Sequence, residues 1–423
     1  MENPGRSTTA VVLAGAGARG AYEAGTLSQL LPALAANGRR PRMFIGTSAG
    51  AINAVLFASL AHLPADVAAR EALRLWREVS RRDVVHSIVV SGLNALFRYL
   101  AQLAGWPVAL TSMLDASPLQ STLTRLVDWD QLHANAARPG VLQAVSVTTT
   151  DCATGRTKVF VECHRRRPLP PADDRRGIDY IPARLDSSHL MASAAIPLLF
   201  PPTYIATPDA DRGWYLDGGV RLNAPIKPAV ALGATRLVLL ATDAIDRVSP
   251  CAVRLGPQPD VRAALSDVLR ALLVDRMVED IRRLGQMNEL LQRHTPGGGV
   301  IRSASGRRRR VIPFVFAGPA QSDALSELAA HEFQKRYGHW RWLRHSPDYP
   351  LLHRLLGAAG TVNGDLLSYL FFERCFLEAA IELGQQDAQR LIDQTEHRLL
   401  WQTRIAPPTL QVCEFPPVGA VTH

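Results

Sequence analysis

Gly46-Thr47-Ser48-Ala49-Gly50 spells G-x-S-x-G between a short apolar run, Met43 to Ile45, and an Ala-rich segment that reads as a helix. That setting suits a nucleophilic hydroxyl. A sharp strand-to-helix turn holds the serine in a strained backbone with its oxygen presented to solvent. The flanking glycines remove Cβ atoms that would collide where strand and helix cross, and the helix dipole favours negative charge at that end. Ser48 is the candidate nucleophile, and Gly46, Thr47, Ala49 and Gly50 form the elbow that would carry it.

Gly15-Ala16-Gly17-Ala18-Arg19-Gly20 reads G-x-G-x-x-G after another β-rich run, Thr8 to Leu13. A dinucleotide site would need an acidic residue at the end of the next strand, to hold the ribose. Met43 to Ile45 instead runs straight into the serine turn, so the loop fits an oxyanion hole better. Free backbone N–H groups at a helix start can hold the charged oxygen of a tetrahedral intermediate, and losing one such donor costs about 10²–10³ in rate. Arg19 has two readings of equal weight: it adds charge to or braces the loop, or it makes an ordinary salt bridge at a helix start.

A serine also needs a base. Asp217-Gly218-Gly219 ends the apolar run Trp214-Tyr215-Leu216. An Asp there would be partly desolvated, which raises its proton affinity. The same tripeptide is also an ordinary Asp-Gly turn, and spacing alone does not choose. A Ser-Asp-His order would draw on His294, His331, His339, His345 or His353, none of which sits in a Gly-rich turn at a strand end; His189 precedes the Asp.

The elements that must position these groups alternate. Strand Thr8 to Leu13, helix Ala21 to Ala36 with Asn37-Gly38 as a left-handed cap, strand Met43 to Ile45 and a helix from Ser48 onward mark an α/β layer with a parallel sheet. Met43 to Ala65 carries no charge and is long enough to span a bilayer, but Gly46, Thr47, Ser48, Gly50 and Asn53 make it a buried strand, turn and helix. Asp66 to Val79 is helical by period, with Ala69, Leu73, Trp76 and Val79 on one face. Val141 to Thr148 and Arg156 to Val161 read as strands joined at Asp151 to Gly155, and Leu237 to Leu240 as a further buried strand. Asp260 to Leu291 reads as one long helix, Val311 to Phe316 as an edge strand behind Pro313, and Leu366 to Leu383 as a last helix capped by Gly384. Pro296 to Gly306 is the only linker candidate. Ser87 to Leu114 is unusually apolar and fits either a core helix pair or a segment that meets lipid.

Composition narrows the class. The chain has 423 residues, 47% hydrophobic and 20% charged, a globular balance that supports a sizeable core. Its formal net charge of +9 is compatible with nucleic acid, anionic lipid or solubility. Arginines spread along most of the chain argue against nucleic acid. Cys152, Cys163, Cys251, Cys375 and Cys413 are odd in number, widely spaced and without a CxxC pair. They speak against a disulfide framework or a zinc site and suit a reducing compartment. Glu2, Arg6 and the brevity of Val11 to Ala14 do not fit a signal peptide, so the expected location is cytoplasmic, with or without membrane association.

Four blocks in order give the sequence a family likeness. It resembles the patatin-like phospholipase family in Leu13 to Gly25 (LAGAGARGAYEAG), in Gly46 to Ala54, in Ala192 to Pro202 (ASAAIPLLFPP) and in Asp217-Gly218-Gly219. Thr150 to Gly155 and Asn223-Ala224-Pro225 are smaller echoes. The resemblance implies a three-layer α/β fold with a central, mainly parallel sheet and helical C-terminal additions. It places a catalytic domain at residues 8–240 and an extension at 241–423 that packs on it or continues it. It also implies a Ser48–Asp217 dyad without a catalytic histidine, supported by the Gly218-Gly219 turn. Backbone groups of Gly15, Ala16, Gly17, Ala18, Arg19 and Gly20 would be the oxyanion hole, with no cofactor or metal. The implied substrate is a phospholipid or another lipid ester. Positive charge, Arg307 to Arg310 and Ser87 to Leu114 add an expected peripheral contact with anionic membranes. One departure stands out: many members have three consecutive glycines where this chain has Gly15-Ala16-Gly17. If that middle position needs φ > 0, Ala16 strains the loop, which leaves a lipid-binding or regulatory module with little turnover as the alternative.

Overall fold

Side chains along a strand alternate between the two faces of its sheet, and the first strand, β1 (Thr9–Leu13), uses both faces for burial. Val11 and Leu13 join one apolar cluster, Ala10 and Val12 another. A strand buried on both sides belongs at the centre of a parallel sheet covered by helices. The computed structural model describes residues 7–84, 115–244, 277–294, 301–302, 308–337, 367–394 and 401–404, and in it β1 lies parallel between β2 (Met43–Thr47) and β8 (Arg236–Leu240). β3 (Ala144–Asp151) follows β2 in parallel, β4 (Thr157–Cys163) pairs antiparallel with β3, and β5 (Ile178–Pro182) closes that side. A hairpin of β6 (Thr203–Ile205) and β7 (Gly213–Asp217) attaches to the far end of β3. A separate two-stranded ribbon joins β9 (Ile301–Arg302) to β10 (Arg308–Arg309). β11 (Phe314–Ala317) forms the other edge beside β8, as Pro313 led one to expect.

One face carries α1 (Gly20–Ala36), α2 (Ala49–Ser59) and α3 (Ala65–Glu78), whose Ala69, Leu73 and Trp76 are buried together with Val79. α4 (Ser117–Leu126), α5 (Trp129–Ala136) and α6 (Ser187–Ser193) extend the same core. The opposite face is covered by α7 (Ile226–Ala231) and α8 (Met277–His294). The sheet is therefore the middle of three layers, as the likeness implied. The expected helix from Asp260 is seen from Met277 onward; its beginning, and Ser87 to Leu114, lie outside the described residues.

After residue 240 the described residues stay within this architecture. β11 extends the sheet, while α9 (Ala324–Tyr337) and α10 (Arg374–Gln394) bury Leu325, Ala329, Phe376, Leu377 and Ile381 in the same core as α1. Here one expectation is corrected: Gly384 does not cap a helix ending at Leu383 but lies inside α10. Its role is packing. A Cβ at Gly384 would sit 2.3 Å from the Tyr22 carbonyl oxygen, and one at Gly25 would sit 2.3 Å from that of Ile381. The two glycines let the α1 and α10 backbones touch.

Intrinsic helix propensity would reward alanine at either position by about 1 kcal/mol, whereas overpacking costs about 1–3 kcal/mol. Gly25→Ala and Gly384→Ala are each expected to lower stability in guanidinium denaturation. An increase in either midpoint would show that the backbones do not meet there.

Candidate active site

β2 stops at Thr47 and α2 starts at Ala49, so one residue makes the turn. Ser48 takes φ 54°, ψ −128°, a backbone that non-glycine residues adopt only when their surroundings hold it. Several contacts do so. The Ser48 N–H donates to Ser193 Oγ at 2.8 Å, and the Ser193 hydroxyl donates on to the Thr148 carbonyl at 2.7 Å. The Thr47 hydroxyl donates to the Leu222 carbonyl at 3.1 Å. A Cβ at Gly46 would lie 2.2 Å from the Gly50 carbonyl oxygen, and one at Gly50 would lie 2.3 Å from that of Ala14. The elbow glycines are thus fixed by backbone contact with each other and with the end of β1.

Sheet register brings the carboxylate in. Thr47 pairs with Thr148, the next β3 residue, Thr149, pairs with Asp217, and Ser48 follows Thr47. Asp217 is 2% exposed. Its N–H donates to the Ala195 carbonyl (2.9 Å), and its own carbonyl accepts the Thr150 hydroxyl (3.0 Å). Oδ1 accepts the Gly219 N–H at 2.6 Å, while Oδ2 is buried without a partner of good geometry. Burial raises the carboxyl from its ordinary 3.8 to about 7, opposed by hydrogen bonding to the Ser48 side chain and to the Gly219 N–H. A hydroxyl beside a carboxyl of that proton affinity can exchange a proton with it near neutral pH. Gly218 is tied to the same register, since a Cβ there would meet the Thr148 carbonyl oxygen at 2.3 Å.

The glycine loop lies against the serine. A Cβ at Gly15 would fall 3.3 Å from Ser48 Cβ. Within the loop the left-handed residue is Gly17, at φ 53°, whereas Ala16 sits at φ −137°. Alanine in the middle position is therefore unstrained, and the feature that favoured a module without turnover falls away. Not every loop N–H faces outward. Gly15 donates to Asn223 Oδ1 at 2.9 Å, Arg19 to the Ala16 carbonyl at 3.0 Å, and Gly20 to the Gly17 and Ala18 carbonyls.

Arg19 acts as a brace. Its side chain is fully buried and turned towards the later chain. Nε donates to Ser368 Oγ (2.7 Å), Nη2 to Ser326 Oγ (3.1 Å), and Nη1 to Asp243 Oδ1 and the Tyr369 hydroxyl (3.3 Å each). The guanidinium also stacks 4.2 Å from the centre of the Tyr369 ring. Of the candidate histidines, His189 bonds Asp186 at 2.9 Å and packs on Phe160, and the His294 ring bonds the Leu290 carbonyl. His339, His345 and His353 lie outside the described residues. Ser193 and Asn223 were in the blocks read from the sequence but had no role there; only their closeness in sequence to the Pro block and to Asp217 marked them. Among the described residues no group of His, Cys, Asp and Glu could hold a metal ion, and no helix is long and apolar enough to cross a membrane.

A family model described as patatin-like phospholipase matches residues 11–230. That span contains the elbow, the glycine loop, Ser193, Asp217 and Asn223. No curated protein matches the sequence. Among solved structures, VipD from Legionella pneumophila is similar at 13% identity and a TM-score of 0.29, over 92% of this chain and 67% of that one.

A raised carboxyl has a thermodynamic signature. The native state keeps the Asp217 proton up to about 7, while the unfolded chain releases it near 3.8. Stability contributed by this group is therefore lost as pH rises between those values. Asp217→Asn is expected to melt higher than the parent at pH 7.5 and equally at pH 4. Equal melting at both pH values would mean the carboxyl is not desolvated.

Proposed function

We propose that this chain, which belongs to the patatin-like phospholipase family, is a serine acyl hydrolase that cleaves carboxylic ester bonds of phospholipids or related lipid esters through an acyl-enzyme on Ser48. The observation that carries this reading is the strained Ser48 turn beside the buried Asp217, whose Oδ2 is left without a good partner. Ser48 Oγ attacks the acyl carbonyl carbon while its proton passes to Asp217. The carbonyl oxygen becomes an oxyanion. Gly15, Arg19 and Gly20 have their N–H groups engaged within the protein, so Ala16, Gly17 and Ala18 are the loop's donors to that oxygen. Collapse of the intermediate breaks the ester C–O bond, and the leaving alcohol takes the proton from Asp217. Water then attacks the acyl-enzyme, gives its proton to Asp217 and releases the fatty acid, and that proton returns to Ser48.

The catalytic domain is taken as residues 8–240, with 241–423 an extension continuous with it through β11 and the Arg19 contacts. The protein acts in the cytoplasm, in peripheral contact with anionic membranes drawn by its net charge of +9. Such contact predicts that co-sedimentation with vesicles rises with their anionic lipid content and falls with salt; binding indifferent to both would rule it out.

Ser48→Ala is expected to abolish covalent labelling by a fluorophosphonate and to lower turnover of a chromogenic acyl ester by at least about 10³-fold, with Asp217→Asn losing a similar factor. Because the base must be ionised, kcat/KM of the parent rises with pH through about 7. Turnover surviving in either variant would sink the dyad. A parent that binds lipid but neither labels nor turns over would instead be a lipid-binding module.

A further inference from the structure

Beneath the glycine loop lies a second buried carboxyl that the hydrolytic cycle above does not use. Glu23, in the first turn of α1, is fully buried. Asn53 Nδ2 reaches both Glu23 Oε2 at 3.1 Å and the Gly20 carbonyl at 2.9 Å. The Asn53 side-chain oxygen accepts the Trp76 indole N–H at 2.7 Å. The Ala14 backbone acts on the Glu23 carboxyl in favour of its charged form. Ala14 immediately precedes the loop and Gly20 ends it, so the group holds the loop at Gly20 and lies against its start. Asn53 belongs to α2, the helix that Ser48 begins. The Trp76 ring closes the group from α3, near enough that a Cβ on Gly20 would touch it at 3.2 Å.

We infer that Glu23, Asn53 and Trp76 form a positioning clasp that fixes the glycine loop to the nucleophile helix, with Glu23 acting as the neutral acid. The inference rests on the acyl-hydrolase reading. None of the three touches substrate. Their task is to keep loop N–H groups at a set distance from an oxygen bound to Ser48, where preorganised donors stabilise developing charge without reorganisation. A neutral clasp suits that task, because a carboxylate under the loop would repel the oxyanion. The surroundings agree. Burial raises the Glu23 carboxyl to about 8, opposed by Asn53 and the Ala14 backbone. The shift of Glu23 comes from burial against hydrogen bonding, with no charged group among its causes. α2 offers Asn53 and α3 offers Trp76, Asp387 of α10 accepts the Tyr22 hydroxyl, and the Arg19 guanidinium pairs with Asp243. Glu23 Oε1 is buried without a partner, as an uncharged carboxyl tolerates better than a carboxylate.

The test measures kcat and KM against pH in the full chain, each rate divided by the fraction of Ser48 that a fluorophosphonate titrates. Asn53→Ala is expected to lose at least about 10-fold in kcat per titrated site with KM within about 2-fold, the mark of an interaction made in the transition state. In the parent, kcat falls above pH about 8 as Glu23 ionises. Glu23→Gln, which keeps shape and neutrality, is expected to retain at least half of kcat at pH 7 and to lose that alkaline fall. Glu23→Gln also serves if Asn53→Ala fails to fold. An alkaline limb unchanged in Glu23→Gln, or an unchanged kcat per titrated site in Asn53→Ala, overturns the clasp while leaving the hydrolase reading intact. A parent that neither labels nor turns over removes both.

Discussion

The structure turns on a backbone contact. Where β2 passes into α2, the Gly50 α-carbon lies against the carbonyls of Leu13 and Ala14, and Gly46 lies against Gly50. No side chain fits between them. The contact sets the distance from the end of β1 to the start of α2, and with it the distance from the glycine loop to Ser48. Ser193 then locks the Ser48 N–H to β3, and β3 carries Asp217 by register. Serine, loop and carboxyl reach one place because β1 and β2 end side by side and β7 ends on the β3 residue next to them, the usual location of sites in open α/β sheets.

Two carboxyls buried close to this place are held close to neutrality for the same physical reason, loss of water, and they have different neighbours. Asp217 lies beside the Ser48 hydroxyl, its partner in the proposed dyad. Glu23 faces an amide side chain and backbone, so its neutrality becomes architecture. Both work against stability at neutral pH, where the unfolded chain would ionise them. The large apolar core on both sides of the sheet offsets that cost.

What was legible in the sequence was local. The Ser48 elbow, the glycine loop and the left-handed cap at Gly38 are set by residues a few positions apart, and short-range sterics fix them. Asp217 was visible as a candidate, but its approach to Ser48 depends on the pairing of Thr149 with Asp217, which no local pattern encodes. Asn223 carries no role that the sequence alone reveals, because its bond to Gly15 joins segments far apart in the chain. Gly384 was misread for a related reason. Glycine at a helix end and glycine at a helix crossing look alike until the partner, Tyr22, is known. Ala16 looked like a weakness because the left-handed position was placed one residue too early.

The Arg19 brace has a consequence in time. Its partners Ser326, Ser368 and Tyr369 stand 307 to 350 positions further along the chain, and the Tyr369 carbonyl lies where a Cβ on Gly17 would be. Contacts of such separation are the last to become possible during synthesis, which runs from the N-terminus. On a ribosome the Ser48 turn can be locked once Ser193 and Leu222 have emerged, but the loop beside it lacks its floor until Tyr369 is out. The glycine loop would thus be ordered well after the Ser48 turn that it lies against.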